Sequence, residues 1–170
     1  MKRRKKNILW TLGILVILLI FFLTWYKLTY SMEPAETYEI NDERAPYHVL
    51  IATQGSNFKD LLVNQLIIEL ETRPVYVRVI DVSALSQIKE AEWMAIVVLH
   101  TWEYARPEQN AKDFIDRIRD RKKLIVLSTS GSGNNLIEGV DGITSASRPS
   151  EVPIKVNEIM TRVTKLLSPE

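Results

Sequence analysis

Two polar clusters and one histidine are the places in this sequence where chemistry can be sited. The first cluster, Thr53-Gln54-Gly55-Ser56-Asn57, lies between the apolar run Val49-Leu50-Ile51-Ala52 and a stretch in which Phe58, Leu61, Leu62, Leu66 and Leu70 recur at helical spacing. That order reads as strand, tight turn, helix. Asn57 is expected to cap the helix by accepting from a free first-turn N–H, and Gly55 to let the turn bend without a Cβ clash. Such a turn aims N–H groups and hydroxyls at a helix N-terminus, where a phosphate or another small anion is favoured. Many α/β domains also open this way with nothing bound. The second cluster, STSGSGNN at 128–135, offers successive N–H groups to an anion, or is an ordinary exposed turn. His100 ends an apolar run and precedes Thr101-Trp102-Glu103-Tyr104. It titrates near neutrality, as a general acid or base must, but a lone strand-end histidine is more often simply hydrogen-bonded. His48 opens the first strand, at the end away from the polar turns.

Other chemistries are excluded by what surrounds these residues. The chain has no cysteine, which removes disulfides, thiolate catalysis and cysteine metal sites. Two histidines on separate strands are thin support for a metal. Ser130 and Ser132 do not lie in G-x-S-x-G, and neither a Walker A nor an H-E-x-x-H pattern occurs. No catalytic residue and no metal ligand is assigned, and enzymatic activity is not the favoured reading.

The elements that must position these groups alternate. Residues 74–82 are rich in Val and Ile and alternate, as a strand does. Residues 83–92 are weakly helical, and 93–99 (WMAIVVL) form a continuous apolar run, the mark of a strand buried on both faces. Pro107 suits the first turn of a helix whose stripe is Ala111, Phe114, Ile115 and Ile118. Strands follow at 124–127 and 141–145. Ser150 is expected to cap a last helix striped by Val152, Val156, Ile159, Met160, Val163 and Leu166–Leu167. The alternation predicts an α/β fold with a five-stranded parallel sheet and helices on both faces.

Ahead of this domain, which spans 47–170, the chain reads as three segments. Residues 1–7 are basic; 8–26 carry no charge and are long enough to cross a bilayer as a helix, with Trp10, Trp25 and Tyr26 near the ends; residues 27–46 are an acidic linker. Five basic residues precede the span and Lys27 closely follows it, so a single-pass anchor with a cytoplasmic N-terminus and an extracytoplasmic domain is expected. Of 22 Lys and Arg, six precede residue 33, where no acid occurs; the remainder carries 21 acids and a net charge of −5. An acidic domain is a poor nucleic-acid binder, so no nucleic-acid partner is expected; the membrane is, together with a protein partner or a small anionic ligand.

From 47 to 167, the order of elements and the first loop resemble the flavodoxin-like family. The resemblance implies strand order 2-1-3-4-5 with a ligand at the carboxyl ends of the first and third strands. In flavodoxins the first loop reads T-x-T-G-x-T and holds the phosphate of FMN. Here the matching residues are Ala52-Thr53-Gln54-Gly55-Ser56-Asn57: the glycine is kept and all three threonine positions differ. The resemblance implies FMN contacts from Thr53, Gln54, Gly55, Ser56 and Asn57, ring stacking by Trp102 or Tyr104, and loop contacts from Thr129, Ser130 and Gly131. The altered loop argues against FMN. Two functions follow: a membrane-tethered binding or interaction module with an altered cofactor site, and, as the alternative, an FMN-dependent electron carrier or small oxidoreductase.

Overall fold

The computed structural model describes residues 2–30, 34–140 and 142–168, with the backbone alone for 2–5 and 26–30. Two compact units result, Met1–Met32 and Glu33–Glu170.

The first unit is one helix, α1 (Lys2–Tyr30). Within it Lys6–Trp25, 20 residues of mean hydropathy 2.6, is long and apolar enough to cross a membrane. Its apolar side chains from Ile8 to Trp25 are all exposed, so the helix has no polar face to turn to water. The expected interfacial side chain of Tyr26, the flanking Lys27 side chain and linker residues 31–33 lie outside what is described.

The second unit is a mixed α/β domain. Its elements are β1 (Tyr38–Ile40), β2 (Tyr47–Thr53), α2 (Asn57–Leu70), β3 (Val75–Asp81), β4 (Ala95–Glu103), β5 (Arg106–Pro107), α3 (Gln109–Arg117), β6 (Leu124–Thr129), β7 (Gly142–Ser145) and α4 (Val152–Leu167). The sheet order is β1-β3-β2-β4-β6-β7, with β5 paired to β4. Strands β3, β2, β4, β6 and β7 are mutually parallel; β1 and β5 are antiparallel to their neighbours. The expected all-parallel, five-stranded sheet is therefore corrected to a mixed one with two added strands.

Each added strand has a local cause. Tyr38 and Ile40 flank Glu39, an alternation too short to stand out among acids and prolines, yet both pack against the core beside β3. Ala35 N donates to Asp81 Oδ2 at 2.9 Å and Asn41 Nδ2 to Val75 O at 2.8 Å. Residues 35–46, expected as linker, thus belong to the domain. At the other addition, β4 continues past Leu99 through His100, Thr101, Trp102 and Glu103, expected as loop. It turns back over Tyr104 and Ala105, both left-handed with φ of 50° and 60°, to pair Trp102 with Pro107. Pro107 is in this hairpin and not in a helix; α3 is capped by the Glu108 carboxylate, which accepts from Asn110 N at 3.0 Å and Ala111 N at 2.6 Å.

Strand alternation builds two cores. Val49, Ile51, Val97 and Leu99 face α2 and α4; Leu50, Ala52, Ile96 and Val98 face α3 and a 3-10 helix over Val82–Gln87. That segment and Glu90–Glu92, also 3-10, stand where a weak helix was expected. The α2 stripe is turned from the expected one: Leu61 is 47 % exposed, while Lys59, Val63 and Ile67 are buried. Ser56, not Asn57, is the N-cap, its Oγ accepting from Lys59 N at 3.3 Å. Ser150 does not cap α4, which is entered through a 3-10 turn at Pro149–Glu151; its expected stripe is buried except for Leu166, which is partly buried.

Candidate functional site at the carboxyl edge of the sheet

The buried polar and charged side chains among the described residues are Thr53, Gln54, Lys59, His100, Thr101, Ser128, Thr129 and Ser145. All lie at the carboxyl ends of β2, β4, β6 and β7 or in the first turn of α2. Burying polar groups costs free energy unless each is hydrogen-bonded, so their concentration at one edge marks the place where stability is spent on something other than packing.

On the α2/α4 face, Thr101 stands opposite Thr129, and Thr129 opposite Ser145, giving a row of hydroxyls in register. Thr101 Oγ1 lies 3.1 Å from Thr129 Oγ1, and Thr129 Oγ1 donates to His100 O at 3.2 Å. Ser145 Oγ donates to Glu151 Oε2 at 2.5 Å, and Ala146 N donates to the same oxygen at 3.2 Å. Lys59 Nζ donates to Thr101 Oγ1 at 2.5 Å, and Thr101 N donates to Gln54 Oε1 at 2.7 Å. Thr101 is thus held from two sides by the first loop and the start of α2.

Lys59 is 1 % exposed, sits at the positive pole of α2 and makes no ion pair among the described residues. Burial pulls its pKa down to about 8, against the charges of Glu103 and Asp60, which favour the ammonium.

On the α3 face, His100 Nε2 lies 2.7 Å from Ser128 Oγ, its partner in register, and both residues are fully buried. Among the described residues Nδ1 has no well-formed hydrogen-bond partner. Burial pushes the imidazole down to about 4, opposed by a hydrogen bond with the Thr101 backbone and helped by the Lys59 charge. His100 is neutral at pH 7 and closed off from solvent, so it is placed to hold Ser128, not to exchange protons with a substrate.

The site residues expected from sequence separate into two groups. Gln54, Thr129 and Ser130 enter the network; Ser130 N donates to Ser145 O at 3.1 Å and its Oγ accepts from Gly133 N at 3.0 Å. Thr53 is buried with its hydroxyl donating to Gln54 O, Gly55 is half-buried and Ser56 caps α2. Asn57 and Gly131 are exposed and join nothing there. Trp102 is half-buried against the α3-side core, its Nε1 without a partner among the described residues, and Tyr104 is 83 % exposed at the hairpin tip.

Sequence reasoning missed Lys59, Ser145 and Glu151. Lys59 was legible as a cation three and four residues ahead of Leu62 and Val63 on the buried stripe. Ser145 follows Ile143 on the same strand face. Ser145 and Glu151 also border an open cleft of about 330 Å³ with Ser132, Asn134, Arg148 and Lys155. Gly133 closes it from the third loop: at φ +70°, a Cβ there would meet Ala146 N at 2.9 Å. Among the described residues no group of three or more His, Asp or Glu is placed to hold a metal ion. No protein-family model matches the chain, and no curated protein matches it.

Proposed function

We propose that this chain is a membrane-tethered, flavodoxin-like domain whose cofactor site is altered, and that it acts as a binding or interaction module. One observation carries the reading: Gln54 and Lys59 both bond to Thr101, which ties the first loop to β4 at the crevice between β2 and β4, where the winding of the sheet reverses. In this reading the polar groups that would face a flavin phosphate are spent on each other. The charge asymmetry around α1 supports a cytoplasmic N-terminus with the domain extracytoplasmic.

The test is a titration of the full chain, in detergent, with FMN, followed by flavin fluorescence. No quenching at submicromolar FMN is the expected result. Submicromolar quenching abolished by Ser56→Glu overturns this reading in favour of an electron carrier. Protease added to intact cells, or to spheroplasts where an outer membrane is present, checks the orientation: the domain should be digested without lysis.

A further inference from the structure

At the opposite edge of the sheet, a cleft of about 430 Å³ opens between the end of α3 and the segment joining β3 to β4. We propose that this cleft docks an acidic segment of a partner protein that carries one apolar anchor side chain. The proposal rests on the interaction-module reading and names the kind of partner.

The floor is apolar: Phe114 and Ile118 are nearly fully buried and Ile88 is half-buried beside them. The rim is cationic. Lys89, Arg117 and Arg119 line it together with Glu90, and beyond the lining the ridge at 117–123 continues through Arg121, Lys122 and Lys123 against Asp120, on a domain whose net charge is −5. Among the described residues the five cations of 117–123 make no salt bridge, while Lys89 pairs with Glu92 at 3.5 Å. Arg117 lies 5.0 Å over the Phe114 ring and donates to the carbonyls of Leu85 and Ile88. Arg121 donates to Gly139 O at 2.9 Å, and Lys123 to Glu90 O at 2.9 Å and Trp93 O at 3.1 Å. Glu90 Oε2 accepts from Arg119 N at 2.8 Å and Asp120 Oδ1 from Lys122 N at 3.1 Å; both stay negative, and with five cations against Asp120 the 117–123 ridge is still net positive.

Carbonyl acceptors satisfy the donors but leave the positive charge uncancelled, so the ridge favours carboxylates by charge complementarity. Arginine and aromatic side chains around an apolar pocket are the composition of protein-binding centres. The cleft chooses between acidic partners: its volume suits one inserted side chain, which a segment of protein offers and a flat headgroup surface does not.

The experiment selects random twelve-residue peptides displayed on phage against the full chain in detergent, with Arg119→Glu/Lys122→Glu as counter-selection. Both side chains are exposed, and an unchanged thermal melt checks that the variant folds; Arg119→Gln/Lys122→Gln is the milder second variant. The expected peptides set two or more acids around a Phe, Leu or Trp. Synthetic copies should bind at least tenfold more weakly to either variant, and at least tenfold more weakly when the apolar residue becomes Ser. Enrichment of neutral or basic peptides, no enrichment, or indifference to the apolar residue overturns the proposal. So does variant-sensitive binding of phosphatidylserine vesicles without any peptide, which assigns the ridge to lipid. The flavin titration reads the other edge of the sheet, so the two ideas fail separately.

Discussion

At the carboxyl edge of one sheet, the two faces bury different ionisable groups and treat them differently. Under α2 and α4, Lys59 is buried beside a row of hydroxyls, and Glu103 and Asp60 help it keep its charge at neutral pH. Under α3, His100 is buried against the Ser128 hydroxyl, with the Thr101 backbone the only group named as favouring its charge among the described residues, and it stays neutral. The separation is one residue wide, because His100 and Thr101 are consecutive and a strand sends successive side chains to opposite faces. A buried charge is tolerated where several polar groups converge and is given up where one does.

The largest effect tests the wall between the two faces. Val97 is 1 % exposed and pairs with Ile51 and Ile125 in the middle of the sheet. Val97→Asp should destabilise the domain by about 4 kcal/mol or more, read by urea unfolding of the full chain in detergent. An unchanged midpoint would remove β4 from the centre.

The next tests set the faces against each other by pH. His100 binds its proton at about pH 4 when folded, against an ordinary 6.5. In that window the unfolded chain takes up a proton that the folded chain refuses, so stability present above pH 6.5 is lost as pH falls towards 4. The loss is about 3 kcal/mol. His100→Asn should flatten this slope, and a variant as acid-labile as the parent would place the effect elsewhere.

Lys59 gives the mirror window. Its folded pKa of about 8 lies below the ordinary 10.5, so below pH 8 the folded chain bears the full cost of a buried ammonium. Stability should rise between pH 8 and 10.5, by no more than about 3 kcal/mol. Tyr76, pushed up to about 12 chiefly by burial, lowers stability at the alkaline end in parent and variant alike. The measured quantity is therefore the difference from Lys59→Met, which should favour the variant at pH 7 and close by pH 10.5. A difference independent of pH would show that Lys59 keeps its ordinary pKa in the fold.

The smallest effect is at Gln54→Ala, which leaves the buried Thr101 N–H without its acceptor. A cost of about 1–3 kcal/mol is expected, seen as a lowered melting temperature.

The contrast between faces was only partly legible in the sequence. The runs at 49–52 and 93–99 gave the central strands, because continuous burial leaves a continuous apolar signal. The stripe of α4 was equally plain. What failed was local geometry: β1 is three residues long, and the β4 hairpin places Tyr104 and Ala105 in a left-handed turn with no glycine to announce it. At the site, Gln54 was read as a substitution in a phosphate loop. Its actual bond to Thr101 crosses 47 residues, and pairwise contacts between loops carry no signature in a single sequence. Lys59 falls on the buried stripe, but lysine is ordinarily exposed, so its residue type masks its position.

Amide exchange at Thr101 tests the closed site most directly. This N–H points at Gln54 Oε1 and not along the sheet ladder, so its protection reports that one side chain. In the parent chain it should exchange as slowly as the core amides of β4, and in Gln54→Ala at least tenfold faster with neighbouring Val98 unchanged. Exchange in the parent at the rate of an exposed loop, or protection indifferent to the loss of Gln54, would contradict a site filled by its own side chains.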